Sequence, residues 1–360
     1  MRHKVAIGAY QQLEDVLNKI GSLEKFIRSG DHVFIKPNLC APKSHETGTT
    51  TNPYLIEELI KLLKPITCNI TIGDGPIPVF GKLSADGHPL LYSIAKKHGI
   101  EIIDLNHGDL EVSGSFVLSK TVLEADVVIN MPVLKTHVRT GLTCSLKNMM
   151  GVVPLRLKHE MHKQGLDRRI VELAKTIKPD LNIVDATTCQ EKDGPTNGTA
   201  KELGLVIAGD NQVAVDALCC KIIGINPRSI PHLKLADQEN VGSIRDIELV
   251  GFERKYISRF ELPWMYKNIF TRLAMQVAEG PIIRCFERNN GILIDKDKCV
   301  KCNLCVKVCP VRALTMAEEA PVVDSESCIL CLCCHETCLN GAISIRKKGI
   351  SQSGVIGEHM

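Results

Sequence analysis

Nine cysteines crowd the stretch from Asp295 to Ile345, and eight of them repeat one spacing, C-x2-C-x2-C-x3-C. Cys299, Cys302, Cys305 and Cys309 form the first run; Cys328, Cys331, Cys334 and Cys338 form the second, 29 residues on. This spacing is that of bacterial two-cluster ferredoxins, where three close thiolates hold one iron–sulfur cube and the fourth crosses to the other. It predicts two [4Fe–4S] clusters, one held by Cys299, Cys302, Cys305 and Cys338, the other by Cys328, Cys331, Cys334 and Cys309. Cys333 falls outside the register and reads as a buried small side chain. The repeat runs beyond the cysteines: Ile294-Asp295 matches Val323-Asp324, and Ala313-Leu314 matches Ala342-Ile343, while Leu339 replaces the counterpart of Pro310. Zinc sites favour a single tetrahedron of four ligands, and disulfide frameworks belong to small secreted domains.

Such a module needs a scaffold, and the chain has ample length for one. At 360 residues it exceeds the usual size of a single core. Its 44% hydrophobic and 24% charged content is that of an ordinary globular protein. A net charge of +3 and 4% aromatic residues give no sign of a nucleic-acid surface. No apolar run reaches membrane-spanning length and the first ten residues hold no signal-peptide core. Sixteen cysteines, half of them serving as thiolates, fit a reducing, cytoplasmic setting.

From Val33 onward, short apolar runs alternate with amphipathic segments. Strands are expected at 33–35, 70–72, 102–105, 127–130, 181–184 and 205–208, with helices at 53–63, 90–97, 169–175 and 213–223. That alternation predicts an α/β fold, a mostly parallel sheet with helices on both faces. The C-terminal module is expected to be a small α+β ferredoxin-like domain. The division expected is an α/β domain over 1–250, an amphipathic linker over 251–290, the module over 291–346 and a loose tail over 347–360. In the linker, Tyr256, Phe260, Trp264, Tyr266 and Phe270 recur near helical spacing among basic residues, as in a helix packed between two domains. Pro263 interrupts this pattern and Pro281 ends it.

Each strand is followed by polar, Gly- or Pro-bearing sequence: Lys36-Pro37-Asn38, Gly73-Asp74-Gly75-Pro76, Met131 to His137, Asp185-Ala186 and Gly209-Asp210. Ligands of open parallel sheets bind beyond the carboxyl ends of the strands, so these turns are expected to meet at one rim. Lys135 to Lys147 is the densest piece, read either as an anion site or as a solvated loop leading into a helix.

The ordered set Lys36-Pro37-Asn38, Thr51-Asn52-Pro53, Gly73-Asp74-Gly75-Pro76, Leu134-Lys135-Thr136-His137, Leu146-Lys147-Asn148 with Gly151, and Gly209-Asp210 with Ala214-Val215-Asp216 resembles the domain of unknown function 362. The resemblance covers about residues 30 to 250, and members often carry a two-cluster ferredoxin module at the C-terminus. It implies architecture and assigns no catalytic residue.

The lysines Lys36, Lys135 and Lys147 are expected to surround an anionic small molecule. Lys36, Asn38 and Asn148 are the binding candidates. Lys135, Lys147, Asp74 and His137 are the catalytic ones, His137 as the proton donor best matched to neutral pH. His159-Glu160-Met161-His162 is one residue short of the zinc-protease motif and lacks a third ligand. Cys144, beside Ser145, and the pair Cys219-Cys220 read as buried core. Neither G-x-G-x-x-G nor a Walker motif occurs. The sequence therefore points to an iron–sulfur oxidoreductase in which the module exchanges single electrons with a site in the α/β domain. A non-enzymatic relay or docking protein serving a partner oxidoreductase fits the same motifs. Both readings require an electron donor or acceptor protein.

Overall fold

The computed structural model describes residues 2–263, 266 and 290–347. Ten strands form the main sheet: β1 (His3–Ala9), β2 (Val33–Pro37), β3 (Ile70–Asp74), β4 (Glu101–Asp104), then, after a separate hairpin of β5 (Leu110–Ser113) and β6 (Phe116–Ser119), β7 (Val127–Met131), β8 (Val133–His137), β9 (Gly141–Thr143), β10 (Leu181–Glu191), β11 (Thr199–Gly209) and β12 (Ile247–Val250). Their order is β12-β1-β11-β10-β7-β2-β3-β4, with β8 on β10 and β9 on β8. Pairing is parallel everywhere except where β11 meets β1 and β10, and where β9 meets β8.

Side chains alternate across each strand, which is how one short run feeds two cores. In β2, Val33 and Ile35 join one core and Phe34 the other. The first core is covered by α1 (Leu13–Lys19), α2 (Pro53–Leu63) and α3 (Pro89–His98). Past the short α4 (Lys120–Leu123), the other core is covered by α5 (Ser145–Asn148), α6 (Leu155–Lys163), α7 (Leu166–Thr176), α8 (Gln212–Ile223) and α9 (Pro231–Gln238). The fold is the expected α/β architecture with helices on both faces. Thr51-Asn52-Pro53 has a local purpose: Asn52 Oδ1 accepts from Tyr54 N at 3.0 Å while Pro53 opens α2.

The expected rim holds for some turns and fails for one. β11 runs antiparallel to its neighbours, so Gly209-Asp210 lies at the opposite end of the sheet, where Asp210 pairs with Lys25 at 3.1 Å. The segment from Lys135 to Lys147 does lead into a helix, α5, but it is no solvated loop: it starts in the buried strand β8, with Lys135 and His137 fully enclosed, and returns through β9. The described part of the 251–290 segment has one short turn, Arg254–Tyr256, and no helix from 257 to 263. There the backbone instead follows the end of α8, Ser258 N donating to Ile222 O and Phe260 N to Ile223 O. Phe260 and Tyr266 are buried in the α/β core, and the Tyr266 hydroxyl donates to Arg139 O at 3.2 Å. Trp264, Phe270, Pro281 and residues 348–360 lie outside the described residues, while Lys347, expected to begin the loose tail, ends a strand.

The C-terminal module is twofold in structure as in sequence. β13 (Asn290–Ile294) pairs with β16 (Ile343–Lys347), and β14 (Leu314–Met316) with β15 (Pro321–Val323), around α10 (Leu304–Val308) and α11 (Cys333–Thr337). Asp295 N donates to Ala342 O and Asp324 N to Ala313 O, both at 2.8 Å.

Candidate functional site

The two cysteine runs share one backbone device. Lys301 and Asn303 in the first, Leu330 and Leu332 in the second, all take positive φ (55°, 65°, 48° and 66°). Such left-handed residues are uncommon outside glycine, and here they curl the chain so that thiols three apart turn to one centre. Cys309 Sγ accepts from Ala313 N at 3.2 Å and Cys338 Sγ from Ala342 N at 3.3 Å, so the fourth cysteines of the two runs are also equivalent. The thiol of Cys305 is pushed up to about 11, by burial first and then by Cys302, Cys338 and Cys299. Cys334 is raised by burial and by Cys331, Cys328, Cys305 and Cys309. Sulfurs crowded in this way resist ionisation unless a cationic metal core lies between them, which is the donor set an iron–sulfur cluster requires. Among the described residues, no three His, Cys, Asp or Glu side chains close round a single metal ion.

Between this module and the sheet lies a cavity of about 130 Å³. Lys36 and Asn38 reach it from the end of β2, Asp74 from β3, Lys135 from β8, Lys147 and Asn148 from α5. Six of the seven α/β candidates therefore share one wall; His137 does not line it. Lys36 Nζ pairs with Asp74 Oδ1 at 2.7 Å, and that carboxylate also accepts from Leu39 N at 2.6 Å and Gly75 N at 2.8 Å. Burial lowers the Lys36 pKa while Asp74 opposes the shift. Gly151 has to be glycine, because a Cβ there would meet Asp74 Oδ1 at 2.0 Å and Lys36 Nζ at 2.5 Å.

Lys135 Nζ donates to Thr49 O at 2.6 Å and Asn38 Oδ1 at 3.2 Å, with Cys40 Sγ at 3.6 Å. Asn38 Nδ2 in turn donates to Asn148 Oδ1 at 2.9 Å. Lys135 is shifted down by burial. Lys147 differs: half-buried, its ammonium makes no hydrogen bond or ion pair among the described residues.

The helix α6 adds residues that sequence reasoning left aside. Lys158, His159 and His162 all line the cavity. Lys158 Nζ donates to Gly75 O at 2.7 Å, and enclosure pushes its pKa down to about 8. His162 is driven to about 3 by burial and then Lys147, so it stays neutral. The H-E-x-H spacing is the trace that His159 and His162 leave in the sequence; the structure makes it a cavity wall.

Helix α11 closes the opposite side with Cys333, Glu336 and Thr337. Glu336 is pushed up to about 6 by burial, against the pull of Lys147. Its Oε1 stands 3.3 Å from His137 Nε2 without hydrogen-bond geometry. His137 Nδ1 accepts from Arg139 N at 3.1 Å, which leaves the ring proton on Nε2, facing Glu336. Burial holds His137 well below its usual pKa. Four inward-lining groups, Thr143 Oγ1, His159 Nε2, Glu336 Oε1 and Thr337 Oγ1, have no hydrogen-bond partner among the described residues. Orphaned buried polar atoms are costly, and a set converging on one cavity marks where a ligand supplies the missing bonds. Elsewhere, Cys144 and Cys219 sit sulfur to sulfur at 3.5 Å in the core, and Asp216 accepts from Ser145 N at 2.7 Å to hold the start of α5.

Among known proteins, a 4Fe–4S binding domain matches residues 292–315, covering the first run. A thylakoid-associated protein of Synechocystis sp. is 32% identical over 243 residues, which is 64% of this chain and 74% of that protein. The lactate racemase apoprotein of Thermoanaerobacterium thermosaccharolyticum superposes with a TM-score of 0.44 at 13% identity, over 62% of this chain and 56% of that one. No helix among the described residues is long and apolar enough to cross a membrane. The model of the domain of unknown function (DUF362) matches residues 33–221, so the motif set read from Lys36 to Asp216 has its explanation: the chain is a 4Fe–4S-binding member of the DUF362 family.

Proposed function

We propose that this chain is an iron–sulfur oxidoreductase whose substrate is a small anion held in the cavity between the sheet and α11. The observation that carries this reading is the cavity's double membership. One wall is a lysine cluster; the other is the helix that bears Cys333 and Cys334, inside the second cysteine run. Two [4Fe–4S] clusters are assigned, on Cys299, Cys302, Cys305 and Cys338 and on Cys328, Cys331, Cys334 and Cys309. When bound, such clusters supply single electrons. A ligand in the cavity is then separated from the second set by little more than one turn of helix.

The chain's own groups do the rest. Four lysines face two carboxylates, Asp74 and Glu336, so the cavity keeps positive charge in excess and favours an anion. Lys36 and Asp74 neutralise each other and brace the floor. Lys147, with no hydrogen-bond or ion-pair partner among the described residues, is the group that meets the acid function of the ligand. Lys135 and Asn38 orient it through Asn148. Glu336, whose Oε1 stands 3.3 Å from His137 Nε2, is placed to hold a proton beside the ligand. Met150 and Leu155 give the remaining wall an apolar surface. Thiolate-held iron fits a reducing, cytoplasmic compartment.

The test is to purify the protein anaerobically, release any bound small molecule and identify it by mass spectrometry. An acid that is present in the wild type and absent from Lys147→Met, with iron content and folding unchanged, supports the reading. A molecule without an acid group, or one retained by the variant, would send the chain to the relay role.

A further inference from the structure

A second opening lies on the outer side of α6. This groove, of about 910 Å³, runs between α6 and the first half of the module. Arg156 and Lys163 stand on one bank, Lys307 and Arg312 on the other, and Cys309 lies in the bed. Among the described residues, its charged groups are those four cations and Glu160, which pairs with Lys163 at 2.9 Å. Arg156, Lys307 and Arg312 are exposed and make no ion pair among the described residues. The bed between them is apolar, formed by Val306, Pro310, Leu314 and Met316.

From this we infer that the groove is the docking site of a small acidic one-electron carrier protein. Three observations choose that occupant. The groove is about seven times larger than the ligand cavity and open to solvent, so a small anion would find no enclosure there. Unpaired cations around an apolar bed match a partner with carboxylates around an apolar tip. Charge complementarity of this kind steers encounter and raises association rates more than it adds affinity. Transient redox complexes bury little area, and a single groove suffices. The third observation is Cys309, a half-buried thiol with its sulfur on the Ala313 N–H, which brings the ligand set to the point of contact. Each encounter moves one electron: the carrier is oxidised by one equivalent and the module is reduced by one, with no bond or proton changing hands.

The inference rests on the electron-carrying role proposed above, and the experiment separates the two. Full-length, anaerobically purified protein is mixed with a reduced small acidic ferredoxin, and separately with reduced methyl viologen, while cluster absorbance is followed by stopped flow. With ferredoxin, the second-order rate is expected to fall about tenfold or more in Arg156→Glu with Lys307→Glu, and to fall as salt is raised. Arg156→Glu alone, on the other domain from the cysteines, is expected to lose several-fold. Viologen should reduce all forms alike. Ferredoxin rates that ignore both variants and salt would overturn the groove while leaving the redox module intact. If viologen also slows in the double variant, the single variant decides, and an unchanged ferredoxin rate there overturns the proposal. A wild-type protein whose clusters accept no electrons from viologen would bring down the redox reading itself.

Discussion

The two halves of the cysteine module share one sequence pattern and one backbone, yet they face different worlds. Asn303 and Leu332 are equivalent positions with nearly the same φ, 65° and 66°. Asparagine tolerates that conformation and sits at the edge of the groove. Leucine does not, costing on the order of 1–2 kcal/mol, but Leu332 is 1% exposed within the core of the α/β domain. Full burial of a leucine contributes about 1.5–3 kcal/mol, enough to offset the strain. Val300, after the first cysteine of its run, is 64% exposed. One half is anchored against the α/β core and the other is open to solvent.

The largest expected effect is on iron. The native protein should contain about eight iron and eight sulfide per chain by colorimetric analysis. Cys302→Ser and Cys331→Ser should each reduce that substantially, from opposite halves, whereas Cys333→Ser should leave it unchanged. Loss of a cluster on changing Cys333 would show that the ligand register is wrong.

Next come the buried groups on the cavity side. Asp74→Asn strands Lys36 without its counter-charge and should cost about 3–5 kcal/mol in denaturant unfolding. Leu332→Ala should cost about 2–5 kcal/mol, and Val300→Ala less than about 0.5 kcal/mol. Equal costs for these last two would erase the distinction between the halves.

Smaller still is a pH effect. Lys158 has a folded pKa of about 8, so its ammonium is present below that value and lost above it. Binding of a carboxylate probe such as acetate, followed by calorimetry, should weaken as pH rises through about 8, by a few-fold. Lys158→Met should bind more weakly at pH 7 and lose the step; a step that persists belongs to another group.

The reach of the sequence follows the same division. Lys36, Asn38, Asp74 and Lys135 were legible because they belong to successive strands or the turns after them, and a parallel sheet gathers such positions. β8 itself was hidden, since five buried residues containing Lys, Thr and His look like a loop until β10 is seen beside them. Gly209-Asp210 misled because strand direction leaves no mark in local composition. Glu336 was invisible as a cavity residue: it lies inside a cysteine run whose spacing already had an explanation, and its place opposite Lys147 depends on how two domains meet. Lys158 and His162 were likewise within view but pointed nowhere without that docking.

The way α11 is mounted has a mechanical meaning. Asn197 Nδ2 donates to His335 O at 2.8 Å and Thr196 Oγ1 donates to Glu336 O at 2.5 Å, while Lys43 Nζ reaches Thr196 O at 2.6 Å. These bonds clamp the helix by its own carbonyls to a loop of the other domain. Fixed in this way, the second cysteine run keeps its place against the cavity wall. α6, whose His159 lines both the cavity and the outer groove, has space on both of its sides.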